Sequence, residues 1–155
     1  MTDQEKIAFK VRLKALCRQI IEQRVEALRF HINQAQATAN SEEKSSAGDK
    51  YETSRAMSHL EKDMHARQLG EVVKELASLQ QVEVNRICTA GEPGGVLDCG
   101  NISFFVAAGL GKQMIDERTI FFLSPNAPLA RTLIHKQAGD RFTFNGNQIT
   151  ILEIY

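Results

Sequence analysis

The chain has 155 residues, 43% hydrophobic and 25% charged, with 19 basic and 19 acidic side chains and a formal net charge of zero. This is ordinary globular composition for one domain or two small ones, and the charge balance excludes a general nucleic-acid binder held by phosphate contacts. No apolar run reaches the roughly 20 residues of a membrane span, and the charged start MTDQEKIAFK has no signal core. Cys17, Cys88 and Cys99 are odd in number with no C-x-x-C pair, so the expected setting is the reducing cytoplasm.

Residues 2–39 open on Thr2 with Glu5 three positions later, the signature of a capping box. Leu13, Leu16 and Ile20 begin an apolar stripe, and Ile21, Val25, Leu28, Ile32 and Ala35 continue it at coiled-coil spacing. Residues 51–79 carry Met57, Leu60 and Met64, then Leu69, Val72, Val73, Leu76 and Leu79, and this predicts a second helix. The link NSEEKSSAGD (40–49) holds no large apolar residue, and Asp49 is a fit N-cap. Two long helices with so short a link are expected to fold back as an antiparallel hairpin with a charged tip. The basic residues Lys6, Lys10, Arg12, Lys14 and Arg18 read as a solvated face of the first helix.

After residue 81 the apolar period falls to two. Val82, Val84 and Ile87 predict a first strand, and the Gly- and Pro-rich residues 89–95 a loop. Residues 101–107 and 119–123 are aromatic and β-branched runs of strand length, with adjacent phenylalanines facing opposite sides of a sheet. Pro128 suits the first position of a short helix over 129–134. Residues 141–144 and 148–154 flank Asn145-Gly146, a strong hairpin signal. The fold class predicted is α+β: a coiled-coil hairpin over 1–80, tip at 40–52, then a small antiparallel sheet with one short helix over 81–155. The histidines and cysteines show no metal-ligand spacing, so no bound metal is expected. Gly109-Leu-Gly111 reads as a turn, since a phosphate loop needs more glycines and a following Lys-Ser/Thr.

The stretch SPNAPLARTLIHKQAGD (124–140) resembles the C-terminal segment of the Gre transcription elongation factors. Ser124, Pro125, Pro128, Leu129, Ala130, Leu133, Lys136, Gly139 and Asp140 fall in register with that pattern, and His135 stands where a glycine is usual. The resemblance spans nearly the whole chain, because a helical hairpin precedes the segment in the expected order. It implies an FKBP-like C-terminal domain docked on bacterial RNA polymerase, with the hairpin passing down the secondary channel. Partner-binding residues implied are Ser124, Pro125, Pro128, Leu129, Arg131, Lys136 and Asp140.

In the cleaving members of that family, acidic tip residues help hold a Mg²⁺ shared with the polymerase and act on backtracked RNA. With Tyr51 in the place of the family's tip tyrosine, Lys44 and Ala47 occupy the acid positions. Glu42, Glu43, Asp49 and Glu52 remain as candidate tip acids, out of register. The resemblance therefore implies a monomeric cofactor of RNA polymerase, in indirect contact with nascent RNA, with no intrinsic catalysis, no stably bound cofactor and no membrane or free-standing DNA binding. Two other readings stay open: a coiled-coil interaction module with a different partner, and an FKBP-like prolyl isomerase.

Overall fold

The computed structural model describes residues 1–45 and 49–155, with side chains for 1–41 and 52–155. Two long helices, α1 (Asp3–Ser45) and α2 (Asp49–Gln80), precede seven short strands and a third helix. By contacts the chain divides into two units, residues 1–18 with 78–155, and residues 19–77.

The capping box forms as read. Glu5 N–H donates to Thr2 Oγ1 at 3.2 Å and Thr2 N–H to Glu5 Oε2 at 2.7 Å, which satisfies donors that a helix start leaves unpaired.

In the first unit a five-stranded sheet has the order β3-β4-β2-β1-β7. Its strands are β1 (Val96–Asp98), β2 (Ile102–Val106), β3 (Gly111–Ile115), β4 (Arg118–Leu123) and β7 (Glu153–Ile154). The sheet is mixed where an antiparallel one was expected, because β2 and β4 run parallel in register Phe104↔Phe121. After β2 the chain skips one place to form the edge strand β3, then returns as β4 between them. That skipped place makes the pair parallel. Val82, Val84 and Ile87 form no strand. Val82 and Val84 are instead buried from an irregular segment, and β1 lies further on, after Gly94-Gly95.

β5 (Arg141–Phe144) and β6 (Asn147–Thr150) make a separate two-stranded ribbon. Asn145 and Gly146 turn it with φ of 50° and 78°, the pair of positive angles a tight hairpin of this twist requires. The single strand expected over 148–154 is split at Ile151, which is fully buried and whose N–H donates to Asp140 O at 2.9 Å.

Alternation along β2 and β4 sorts the aromatic rings as expected. Phe104 stacks on Phe121 at 5.6 Å and meets Phe142 and Phe144 edge-on at 5.4 and 5.2 Å. Phe105 meets Phe122 at 5.7 Å on the other face. α3 (Pro128–Leu133) adds Ala130 and Leu133 to the first cluster, with Leu97, Val106 and Ile151.

The basic start of α1 is a solvated face only in part, at the exposed Arg12 and Arg18. Lys6 pairs with Glu153, Arg12 Nη2 lies 2.9 Å from Asp116 Oδ2, and Lys14 Nζ donates to Val82 O at 2.8 Å. Lys10 is wholly buried. Four of the five cations expected in water thus meet carboxylates or carbonyls of the same unit, and Arg12 and Arg118 flank the buried ring of Phe9.

In the second unit the two helices run antiparallel, with Gln36 against Lys62 and His31 against His65. α1 contributes Ile21, Val25, Leu28, Ile32, Ala35 and Ala39 to the seam, all buried or half-buried at steps of four and three. From α2 the inward positions are Ser54, Ser58, Lys62, His65, Leu69, Val72 and Leu76, on the same spacing.

Candidate partner-binding surfaces

The seam of the second unit corrects the reading of α2. Its C-terminal half turns Leu69, Val72 and Leu76 inward and half-buried as predicted, with Val73 left exposed, but its N-terminal half is inverted. Ser54, Ser58, Lys62 and His65 face α1, while Met57, Leu60 and Met64 are 65, 69 and 49% exposed. Apolar spacing alone marks the wrong face, because the partner positions on α1 are the small residues Ala35 and Ala39. Small side chains let helix axes approach closely, and serines fit where leucines do not.

Among the described residues, one hydrogen bond crosses the polar seam, and a second, within α1, holds its acceptor. Lys62 Nζ donates to Gln36 Oε1 at 2.6 Å, and Gln36 Nε2 to Asn40 Oδ1 at 3.0 Å. His31 and His65 stack with centroids 5.3 Å apart, and His65 Nδ1 is buried with no hydrogen-bond partner among the described residues. Outside, Met57, Leu60 and Met64 line a shallow groove rimmed by Glu61, Asp63 and Arg67. Scattered exposed leucines are ordinary, but three large apolar side chains at i, i+3 and i+7 on one face are a contiguous patch of the kind that partners cover.

Of the candidate tip acids, Glu52 is exposed on α2. Glu42, Glu43 and Asp49, with Lys44 and Ala47, lie outside the residues whose side chains are described.

The segment 124–140 is built largely from its own turns. Ser124 Oγ accepts from Asn126 N–H at 3.3 Å and Ser124 O from Ala127 N–H at 3.0 Å. Pro128 opens α3 as predicted. Leu129 packs against the aromatic core. Lys136 O accepts from Gly91 N–H at 2.8 Å, and Asp140 Oδ2 accepts from Gln137 N–H at 2.8 Å. Pro125 is half-buried, and Pro128, Arg131 and Asp140 present exposed side chains. The side chains of Ser124 and Asp140 are therefore engaged in holding the backbone, as is Thr132 Oγ1, which donates to Pro128 O at 3.2 Å, while Arg131 is exposed.

His135 and Gly139 both take left-handed backbone, with φ of 66° and 94°. A side chain in that region costs about 1–2 kcal/mol, which explains why glycine suits the place His135 holds just beyond α3. His135→Gly is expected to stabilise the fold by about 1 kcal/mol or somewhat less, since glycine also loosens the unfolded chain. Its side chain is exposed, so little packing is lost. A thermal melt should show a rise of about 2–4 °C, and an unchanged or lower midpoint would contradict the strain.

The aromatic rings offer little open surface, since Phe104, Phe121, Phe142 and Phe144 close on one another. Burial pushes the Cys17 thiol up to about 12 and the Cys99 thiol to about 11, far from the thiolate a nucleophile needs. No described helix is long and apolar enough to cross a membrane.

Compared with known proteins, the chain matches no protein-family model and no curated sequence.

Proposed function

We propose that the chain is a regulator of bacterial RNA polymerase of the Gre type, in which the sheet-bearing part is an FKBP-like docking domain and the helical hairpin enters the secondary channel. The observation that carries this reading is the hairpin itself. Helices of 43 and 32 residues are far longer than a small sheet needs for cover, and residues 19–77 pack among themselves. An apolar stripe at Met57, Leu60 and Met64 gives that arm a surface to set against another protein.

The segment 124–140 supports the same reading. Its resemblance to the Gre pattern lies in residues that build one local structure, and the motif's glycine position at His135 has the backbone angle that glycine favours. Arg131 is the exposed cation of that segment and the residue it would offer to an acidic polymerase surface.

Activity at the polymerase centre falls to the tip. Asp49 and Glu52 stand three apart in the sequence, and carboxylate oxygens are the donors Mg²⁺ takes. Glu52 is exposed and able to present one. A metal shared with the polymerase would supply polarised water there, and this chain would supply only carboxylates and their placement.

The test is a backtracked complex of cognate core polymerase incubated with the intact protein and with an Asp49→Ala, Glu52→Ala double variant. RNA shortening by the intact protein, lost in the variant, is the result expected of a cleavage factor. Binding without shortening makes the chain a regulator that occupies the channel. No binding overturns the proposal. A dimer through the Met57, Leu60 and Met64 stripe is the alternative, and light scattering separates it by mass.

A further inference from the structure

We propose that Lys10 and Cys88 are a peroxide-gated crosslinking pair, forming a nitrogen–sulfur bond that ties the first turns of α1 to the loop after residue 85. Lys10 is 0% exposed and Cys88 1%. Lys10 Nζ donates to Arg86 O at 2.7 Å and sits 3.6 Å from Cys88 Sγ. The neighbouring carboxylate, Glu92, is gripped by Arg86 through two hydrogen bonds of 2.9 Å. Lys10 thus faces a carbonyl and a thiol in a dry site, an expensive placement for a charged amine. A methionine would fill such a space at lower cost.

The chemistry follows from that placement. Burial, the largest effect on Lys10, pulls its pKa down, against opposing pulls from Cys88 and Glu92, so losing the proton that masks its lone pair costs less here than for a lysine in water. Hydrogen peroxide, small enough to enter as the loop breathes, oxidises the Cys88 thiol to a sulfenic acid and leaves as water. Sulfenic acids condense with nitrogen nucleophiles. The Lys10 lone pair forms the S–N bond as the S–OH bond breaks, and the departing hydroxide takes a proton from nitrogen to leave as a second water. Sulfur loses two electrons in the sequence and peroxide gains them. Two equivalents of a thiol reductant reverse it, returning thiol and amine with one disulfide released. Burial, followed by the Glu92 contact, holds the Cys88 thiol pKa up, so the first step is slow. The second is intramolecular and gains from proximity. No described hydrogen bond joins Cys17 or Cys99 to an amine, so both serve as internal controls.

The experiment treats the intact protein with hydrogen peroxide, digests it without reductant and weighs the peptides. Exposed Met57 and Met64 act as the dosimeter, since their sulfoxides report that oxidant was sufficient. The expected product joins the Lys10 and Cys88 peptides with a mass two hydrogens below their sum. It disappears with dithiothreitol and is absent from Cys88→Ser and Lys10→Met variants. Cys88 carrying oxygen with Lys10 unmodified overturns the proposal. So does an unmodified Cys88 at full methionine oxidation, or a crosslink heavier by one oxygen. The wild-type readout stands alone if either variant fails to fold.

Discussion

Gly91→Ala is expected to destabilise the fold by upward of about 4 kcal/mol, a large drop in its urea midpoint. A Cβ at this position would lie 1.8 Å from Leu133 O and 2.8 Å from Leu133 C, and both are backbone atoms that no rotamer change can move. Gly91 is also bonded twice to the end of α3. Its N–H donates to Lys136 O at 2.8 Å, and its carbonyl accepts from His135 N–H at 2.9 Å. To admit a methyl group, the loop must give up both bonds, each worth about 1 kcal/mol net and more if left buried and unmade. Otherwise α3 must withdraw Ala130 and Leu133, both wholly buried, from the aromatic core. Either route costs upward of about 4 kcal/mol, an exceptional loss for one residue, against a total stability of about 5–15 kcal/mol. Urea denaturation checks it. A midpoint within error of wild type would mean that the approach of this loop to α3 is not as described.

Gly91 also illustrates what the sequence could and could not disclose. Its place in a Gly- and Pro-rich run announced a loop, but the reason for a glycine is a carbonyl more than forty residues away. Local capping and turn signals survived, whereas local apolar spacing failed at Val82, Val84 and Ile87, which form no strand, and at Met57, Leu60 and Met64, which face outward. The Thr2–Glu5 capping box, the Asn145-Gly146 turn, Pro128 at the start of α3 and the facing of the paired phenylalanines all read correctly.

The other failures were non-local. β3 is a polar edge strand, turned into β4 by Asp116 and Glu117 at φ of 50° and 64°, where neither glycine nor asparagine advertises a turn. β1 is three residues long and has meaning only between β2 and β7. The parallel pairing of β2 with β4 depends on an omitted place in the sheet that no periodicity encodes. Lys10 is the sharpest case among the candidate sites. Five cations at the start of α1 look like a wet face, and nothing near them in sequence reveals that one is sealed against a cysteine almost eighty positions on.

Replacing Leu60 and Met64 by glutamine is expected to leave stability almost untouched and, on the proposed function, to weaken binding to core RNA polymerase by at least tens of fold. The two side chains are 69 and 49% exposed, and such surface changes usually fall within about 0.5 kcal/mol. Glutamine keeps helix propensity close to that of leucine and methionine. It also adds no charge beside Glu61 and Asp63, so the helix itself has no reason to fray. If a partner covers the stripe, the same two side chains become its apolar anchors, and truncating an anchor costs about 2 kcal/mol or more, roughly thirtyfold in affinity. The measurement is a titration of labelled protein with core polymerase, run beside a melt of each variant. Equal affinity with equal stability would remove the stripe from the binding surface and leave the tip and Arg131 to carry it. The reason to expect otherwise lies in the seam. The N-terminal half of α2 spends serines, a lysine and a histidine on its inward face and keeps Met57, Leu60 and Met64 outside, an arrangement whose cost in the isolated protein the proposed partner surface would offset.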